Sequence, residues 1–220
     1  MLLAQFAGAE ALPVRLITCA VMSWYFADDS PLRALSSRTL PKIVFNAVCD
    51  ELGRYFAPDG LRYVRSRPRV EQRCGDLVLT LSMWSSRSNV GGEHVALEVV
   101  SHVDSRALAK WVKATGIGGG KALFTVDTRN ARTGRYEKYF NVAAVTPASF
   151  VDLAETIRRV CWEPMTCITA EGTLRAEVHP RLEPIEDNFA CWLWMRGRRD
   201  EALATAGLSD DVRARLLAQA

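Results

Sequence analysis

The sequence has few histidines and no closely spaced cysteines, so it lacks the usual ligand sets of a metal or redox site. It contains three His and six Cys in 220 residues, and no two cysteines have the Cys-x-x-Cys spacing. His94 and His102 fall on one predicted strand, where they would lie roughly 26 Å apart. We therefore predict no metal ion and no cofactor. The cysteines, most of which have apolar neighbours, are predicted to be core residues of a protein in a reducing, cytoplasmic compartment.

Motifs of the common enzyme classes are also missing. No serine stands in a Gly-x-Ser-x-Gly elbow, and Glu137 is followed directly by Lys138 instead of showing the Glu-x-Lys spacing of many nucleases. The glycine-rich run at 116–120 precedes Lys121, but Ala122 stands where a phosphate-binding loop needs a hydroxyl for magnesium. Lys121 keeps only the capacity to bind an anion. We predict no catalytic residue.

An enzyme with an unrecognised pocket stays open as an alternative. Such a pocket would bring a titratable side chain next to Arg or Lys residues. The candidates for that side chain are Glu98, His94 and His102.

No hydrophobic stretch in the sequence has the length of a membrane-spanning helix. Residues 12–26 are mainly apolar, but Arg15 interrupts them, and a spanning helix needs about 20 apolar residues. No Lys or Arg precedes Arg15, so a signal peptide is not expected. We predict an N-terminal helix that packs on the body of the protein, and no membrane contact. Because Met22 is a second possible start, the sequence leaves open whether residues 1–21 belong to the natural chain.

Alternating hydrophobicity is the main structural signal. Hydrophobic residues make up 49% of the chain and charged residues 24%, which is typical of a globular protein. Between 76 and 86, every second residue is apolar, and 94–102 alternates in the same way. The glycine-containing turn at 89–92 would join these two strands into an antiparallel pair.

Helical periodicity occurs on both sides of this pair. Thr39 and Ser105 are candidate N-caps of two helices, Thr146-Pro147 opens a third, and Ser209 is the candidate cap of a fourth near the C-terminus. The apolar face of the first helix consists of Val44, Phe45, Val48, Leu52 and Phe56. A second hairpin is predicted from residues 122–128 and 135–142. Further predicted elements are an ambiguous strand at 171–179, an aromatic-rich segment at 187–196 and a helix at 199–206.

These elements predict an α+β fold with a mainly antiparallel sheet of about five to seven strands. The helices are expected largely on one face of the sheet, with a short helical C-terminal appendage. Three segments are predicted: an N-terminal helix and linker at 1–38, an α+β core domain at 39–180, and a C-terminal helical hairpin at 181–220.

A basic stretch gives the chief functional signal. Arg65, Arg67 and Arg69 have the same parity, so an uninterrupted strand would project all three from one face, although Pro68 disturbs the pattern. We predict a non-catalytic protein-interaction module whose guanidinium groups pair with carboxylates of a partner protein, while an aromatic side chain supplies buried area. The predicted binding residues are Arg65, Arg67, Arg69, Trp84 and Arg87. Two alternatives stay open: nucleic-acid binding by the same arginines, and a solvated edge strand.

The stretch from Phe45 to Trp111 also carries a recurring order of elements. A helix is followed by a glycine-led strand, a basic strand, a strand ending in polar residues, and a helix containing Lys-Trp; the pieces are Gly-Leu-Arg-Tyr at 60–63, Leu-Ser-Met-Trp-Ser-Ser-Arg-Ser-Asn at 81–89 and Ala-Lys-Trp at 109–111. This third of the chain resembles members of uncharacterised bacterial α+β domain families. Some similar small α+β proteins serve as immunity or defence-accessory proteins beside toxins. The resemblance implies the same role here by analogy of fold pattern.

Overall fold

The computed structural model describes residues 24–169, 172, 174 and 178–219. The predicted N-terminal helix and Cys19 lie mainly or wholly outside these ranges, as does most of the ambiguous strand at 171–179. Residues 24–27, at the end of the predicted N-terminal helix, are not helical. No helix among the described residues combines the length and apolarity needed to cross a membrane.

The described residues form one seven-stranded antiparallel sheet, which confirms the predicted α+β class. Its strands are β1 (Arg62–Val64), β2 (Arg69–Cys74), β3 (Leu77–Ser85), β4 (Ala96–Ser105), β5 (Ala122–Val126), β6 (Tyr139–Asn141) and β7 (Leu182–Pro184). The order across the sheet is β1-β2-β3-β4-β5-β7, and β6 pairs with β4 beside this path. Every strand pair is antiparallel.

The α-helices are, in chain order, α1 (Pro41–Phe56), α2 (Arg106–Thr115), α3 (Pro147–Ile157), α4 (Glu186–Met195), α5 (Arg199–Leu203) and α6 (Asp210–Leu217). Ser105 and Ser209 cap α2 and α6 as predicted, and Thr146 caps α3; each side chain accepts a hydrogen bond from a backbone N–H of the first turn. Thr39 does not cap α1. Its hydroxyl accepts a hydrogen bond from the backbone N–H of Ser36 instead, and Leu40 occupies the cap position.

The hydrophobic core lies on one face of the sheet. The four side chains of odd number in β3, from Leu77 to Met83, are all buried, as the alternation predicts. They join one cluster with the apolar face of α1 and with buried residues of α3 and α4. On α4, the ring of Phe189 packs at 5.0 Å from that of Phe124 in β5, and Asn188 donates a hydrogen bond to the carbonyl of Ala122. The C-terminal helices therefore contribute to the same core as the sheet.

The predicted second hairpin differs from the structure. Strands β5 and β6 do not pair with each other in the described sheet: β5 lies between β4 and β7, while β6 pairs with the first half of β4, where Tyr139 faces Glu98. Of the predicted hairpin, the structure contains only the turn, which is closed by one isolated bridge between Arg129 and Tyr136 in the described part of the chain. Pairing with β4 wins because it places Phe140 beside the buried Leu97, whereas a tight hairpin would leave β4 uncovered there.

Candidate functional site

The face of the sheet opposite the core carries most of the polar side chains of the central strands. Antiparallel register places three rows of residues on this face, each crossing β2, β3 and β4. The rows are Arg69–Ser82–Val100, Glu71–Thr80–His102 and Arg73–Val78–Asp104. Residues directly opposite in neighbouring strands lie about 5 Å apart, so the polar and charged side chains of the rows lie close together, and only the row Glu71–Thr80–His102 is polar throughout.

These rows form the floor of a groove with a volume of about 360 Å³. Six of the residues that line it are Arg or Lys, two are carboxylates and one is His102. The full lining is Arg62, Arg67, Arg69, Glu71, Arg73, Val78, Thr80, Ser82, His102, Asp104, Arg106 and Lys121. The groove therefore has a strong excess of positive charge, with the hydroxyls of Thr80 and Ser82 on its floor.

Glu71 organises one side of the groove. Its carboxylate accepts hydrogen bonds from Arg62 and from Arg69 Nε, the latter at 2.8 Å, and the side chain is buried beneath them. Burial alone would raise the pKa of Glu71, but the hydrogen bonds from the two guanidinium groups outweigh it and hold that pKa below its ordinary value. Glu71 thus stays ionised and fixes the position of both arginines.

Asp104 has the corresponding role on the other side. Its Oδ2 lies 2.6 Å from Lys121 Nζ and 3.5 Å from His102 Nε2. Burial acts to raise the pKa of Asp104, but hydrogen bonds from His102 and Lys121 lower it overall. Lys121, which the sequence singled out after the glycine-rich run, is thereby directed into the groove.

Three cations of the groove have no anionic partner among the residues that the structure describes. Arg67, Arg73 and Arg106 are exposed and form none of the ion pairs found there. An unpaired guanidinium group in a groove keeps all five N–H donors available, and its planar fork suits two oxygens of a phosphate or carboxylate. These three arginines are the groups most available to an anionic ligand.

Exposed aromatic rings lie at one end of the same face. Trp84 of β3 faces Glu98 of β4, which in turn faces Tyr139 of β6. Trp84 is 61% exposed and Tyr139 58%, which is unusual for side chains of their size. Lys138 Nζ lies 2.8 Å from Glu98 Oε1 and 5.0 Å from the centre of the Tyr139 ring. The hydrogen bond to Glu98 raises the pKa of Lys138, so the ammonium group of Lys138 stays charged.

The five predicted binding residues do not form one patch. Residues 65–68 form a turn between β1 and β2, so the parity argument from an uninterrupted strand does not apply. Arg65 turns toward α1, where its Nη2 lies 2.9 Å from Asp50 Oδ2. Arg67 and Arg69 both line the groove, but Arg69 is paired with Glu71. Trp84 lies at the aromatic end, and Arg87 is exposed in the connection that follows β3.

Sequence reasoning missed Arg106 and Tyr139 as members of this face. Arg106 is the first residue of α2 and reaches the groove because β4 ends beside β3 at that point. Tyr139 reaches it through the pairing of β6 with β4. One signal in the sequence pointed to a polar open face: the even-numbered residues of β4 include Glu98, His102 and Asp104, which alternate with mainly apolar residues.

The conditions for an enzyme are met only in part. His102 shares the groove with Arg and Lys side chains, which is the arrangement that the enzyme alternative requires, and that alternative stays a prediction. No group of three or more His, Cys, Asp or Glu in the described ranges could hold a metal ion. A second cavity of about 530 Å³ lies near Phe26 and Val145. Among the described residues, its charged lining consists of Asp28 and Arg33, which pair with each other.

No family model, curated protein or solved structure matches the chain. The predicted resemblance of the Phe45–Trp111 region to uncharacterised bacterial families therefore stays a prediction.

Proposed function

We propose that this protein is a non-catalytic module that binds nucleic acid in the groove on the open face of its sheet. The observation that carries the proposal is the charge of the groove, where six Arg or Lys residues face two carboxylates. Both carboxylates are already engaged by neighbouring cations. The positive charge that remains is available for phosphate groups.

The shape of the groove favours a polymeric anion over a single small one. Arg69 and Arg73 are four residues apart on β2, so their attachment points are roughly 13 Å apart along the strand. Arg106 and Lys121 extend the positive lining to the far side of β4. One phosphate cannot reach all of these groups, whereas successive phosphates of a nucleic-acid strand can.

A protein partner is the second candidate, as in the immunity-type role that the sequence predicts. The exposure of Trp84 favours it, because Trp and Arg dominate the binding energy of many protein interfaces. This candidate requires an acidic partner surface, since the groove would repel a basic one. It differs from nucleic-acid binding in its dependence on salt and on the shape of one particular partner.

The first prediction replaces the three unpaired arginines. The variant Arg67→Gln, Arg73→Gln, Arg106→Gln should bind a labelled 12-nucleotide RNA much more weakly than the wild type in fluorescence anisotropy. Each lost phosphate contact reduces the slope of log K against log salt by about 0.7 for a single strand, so the slope should fall by roughly 2. The measurement is an anisotropy titration repeated between low and physiological salt.

A matched control removes the same charge from the helices. The variant Lys42→Gln, Lys110→Gln, Lys113→Gln loses three exposed cations from α1 and α2 and should retain the wild-type slope. If the two triple variants lose affinity equally, binding reflects net charge and not the groove. If the wild type does not bind RNA at any salt concentration, nucleic-acid binding is wrong.

A further inference from the structure

We infer that the aromatic end of the open face holds one unpaired base between Trp84 and Tyr139, with Glu98 accepting a hydrogen bond from the exocyclic amino group of that base. This inference rests on the proposed function and names its ligand as single-stranded nucleic acid. It also predicts a preference for cytosine and other amino-bearing bases over uracil or thymine.

The register of three strands creates a slot of suitable width. Trp84 and Tyr139 lie on β3 and β6, with Glu98 of β4 between them. Two strand spacings of about 4.8 Å separate the outer pair by roughly 9.5 Å at the backbone. A flat base in contact with a ring on each side needs about 7 to 8 Å between the rings, since contacting carbon atoms lie about 3.5 to 4.0 Å apart. The slot requires both side chains to turn their ring faces toward such a base.

Glu98 forms the floor of the slot as a hydrogen-bond acceptor, and Lys138 balances its negative charge. Lys138 Nζ lies 2.8 Å from Oε1 of Glu98, and this is the ion pair that Glu98 forms within the described part of the chain. Because Lys138 neutralises Glu98, the slot does not repel a phosphate chain that passes nearby. A carboxylate oxygen recognises a donor, and the 4-amino group of cytosine is such a donor, whereas uracil presents a carbonyl at the same position.

Lys138 excludes a cationic ligand from the space beside Glu98. Aromatic rings around a carboxylate can bind an ammonium group. Here Lys138 already occupies that position, because its Nζ lies 5.5 Å from the centre of the Tyr136 ring and 5.0 Å from that of Tyr139.

The slot is continuous with the basic groove. On β3, Trp84 and the groove residue Ser82 are two positions apart on the same face, which is roughly 7 Å. A strand whose phosphates lie along Arg69 and Arg73 can therefore place one base at the slot without leaving the face. A duplex cannot do this, because its bases are paired and stacked inside the helix.

The test compares a 12-nucleotide oligocytidine, a 12-nucleotide oligouridine and a 12-base-pair duplex, each binding to Trp84→Ala, Tyr139→Ala and the wild type. Loss of one stacking ring should weaken single-strand binding about tenfold and leave duplex binding unchanged. Tyr25→Ala removes an even more exposed ring elsewhere and should have no effect. Trp84→Phe keeps a ring and should retain most of the affinity, which separates stacking from an effect on folding.

Glu98→Leu tests the predicted base preference. The wild type should bind oligocytidine several-fold more tightly than oligouridine, and this ratio should fall to about one in the variant. The ratio is insensitive to the release of Lys138, which would affect both oligonucleotides alike.

Equal loss of single-strand and duplex binding in Trp84→Ala and Tyr139→Ala, or no loss of either, would overturn the slot. The proposed function fails separately, if the arginine variants keep the wild-type salt dependence.

Discussion

At the scale of single residues, Glu71 sets the balance between stability and binding in the groove. It is buried, and it pairs with both Arg62 and Arg69, two of the six cations that line the groove. Its removal therefore acts in opposite directions on the two properties. The fold loses charge-assisted hydrogen bonds, and the ligand gains two guanidinium groups.

Glu71→Gln should lower the free energy of unfolding by about 1 to 3 kcal/mol at pH 7, because it removes hydrogen bonds to two charged groups. The pKa of Glu71 lies below its ordinary value of 4.5 in the folded protein. Its stabilisation is therefore complete above pH 4.5 and is lost as the pH falls through the folded pKa. Urea denaturation from pH 7 to pH 2.5 should show the wild-type and variant curves converging at the acid end. A difference that stayed constant with pH would mean that the ion pairs do not cause it.

The same substitution should tighten RNA binding several-fold, since Arg62 and Arg69 become available to phosphate. Glu201→Gln is the matched control, because Glu201 pairs with Arg198 on the exposed surface of α5, outside the groove. Weaker binding by Glu71→Gln would show instead that the ligand needs the two arginines held in their present positions.

At the scale of elements, the contact between α1 and β1 positions the turn that carries Arg67. Gly53 of α1 lies against Tyr63 of β1 so closely that a Cβ at residue 53 would be 2.5 Å from Tyr63 Cγ. Tyr63 also donates a hydrogen bond from its hydroxyl to Asp50 Oδ1 at 3.0 Å. The helix therefore needs glycine at this position to approach the strand.

Gly53→Ala should destabilise the protein although alanine is the better helix former. The gain in helix propensity is about 0.5 to 1 kcal/mol, whereas forcing an atom into a filled contact costs about 1 to 3 kcal/mol. Tyr63→Ser removes the obstructing ring, so in that background Gly53→Ala should raise the free energy of unfolding. Thermal unfolding of the wild type, the two single variants and the double variant gives the coupling free energy between residues 53 and 63. Additive effects would contradict the close contact.

The sequence predicts the elements well where burial follows a local period. The odd-numbered residues of β3, such as Leu79 and Leu81, alternate clearly because one face meets the core. Register between distant strands has no local period, so the pairing of Tyr139 with Glu98 and the mispredicted second hairpin were beyond sequence reasoning. The groove was missed as a unit for the same reason, because its members come together only through the alignment of β2, β3 and β4.

At the scale of the whole molecule, charge is distributed unevenly between the two faces of the sheet. The chain has a net charge of only +3, yet the groove alone contains six Arg or Lys side chains against two carboxylates. The remaining residues of the chain therefore sum to a net charge close to zero. Such an arrangement orients the open face toward a polyanion without making the whole protein a non-specific binder.

The central claim is that RNA contacts the open face and not the helical side. Its most direct test is an NMR titration that follows the indole N–H of Trp84 and the guanidinium N–H groups of the arginines as oligocytidine is added. The account predicts shifts for Trp84, Arg67, Arg73 and Arg106, with no change for Arg65 beside α1 or for the buried Trp192. Shifts confined to the helical side, with Trp84 and the groove arginines unmoved, would contradict it.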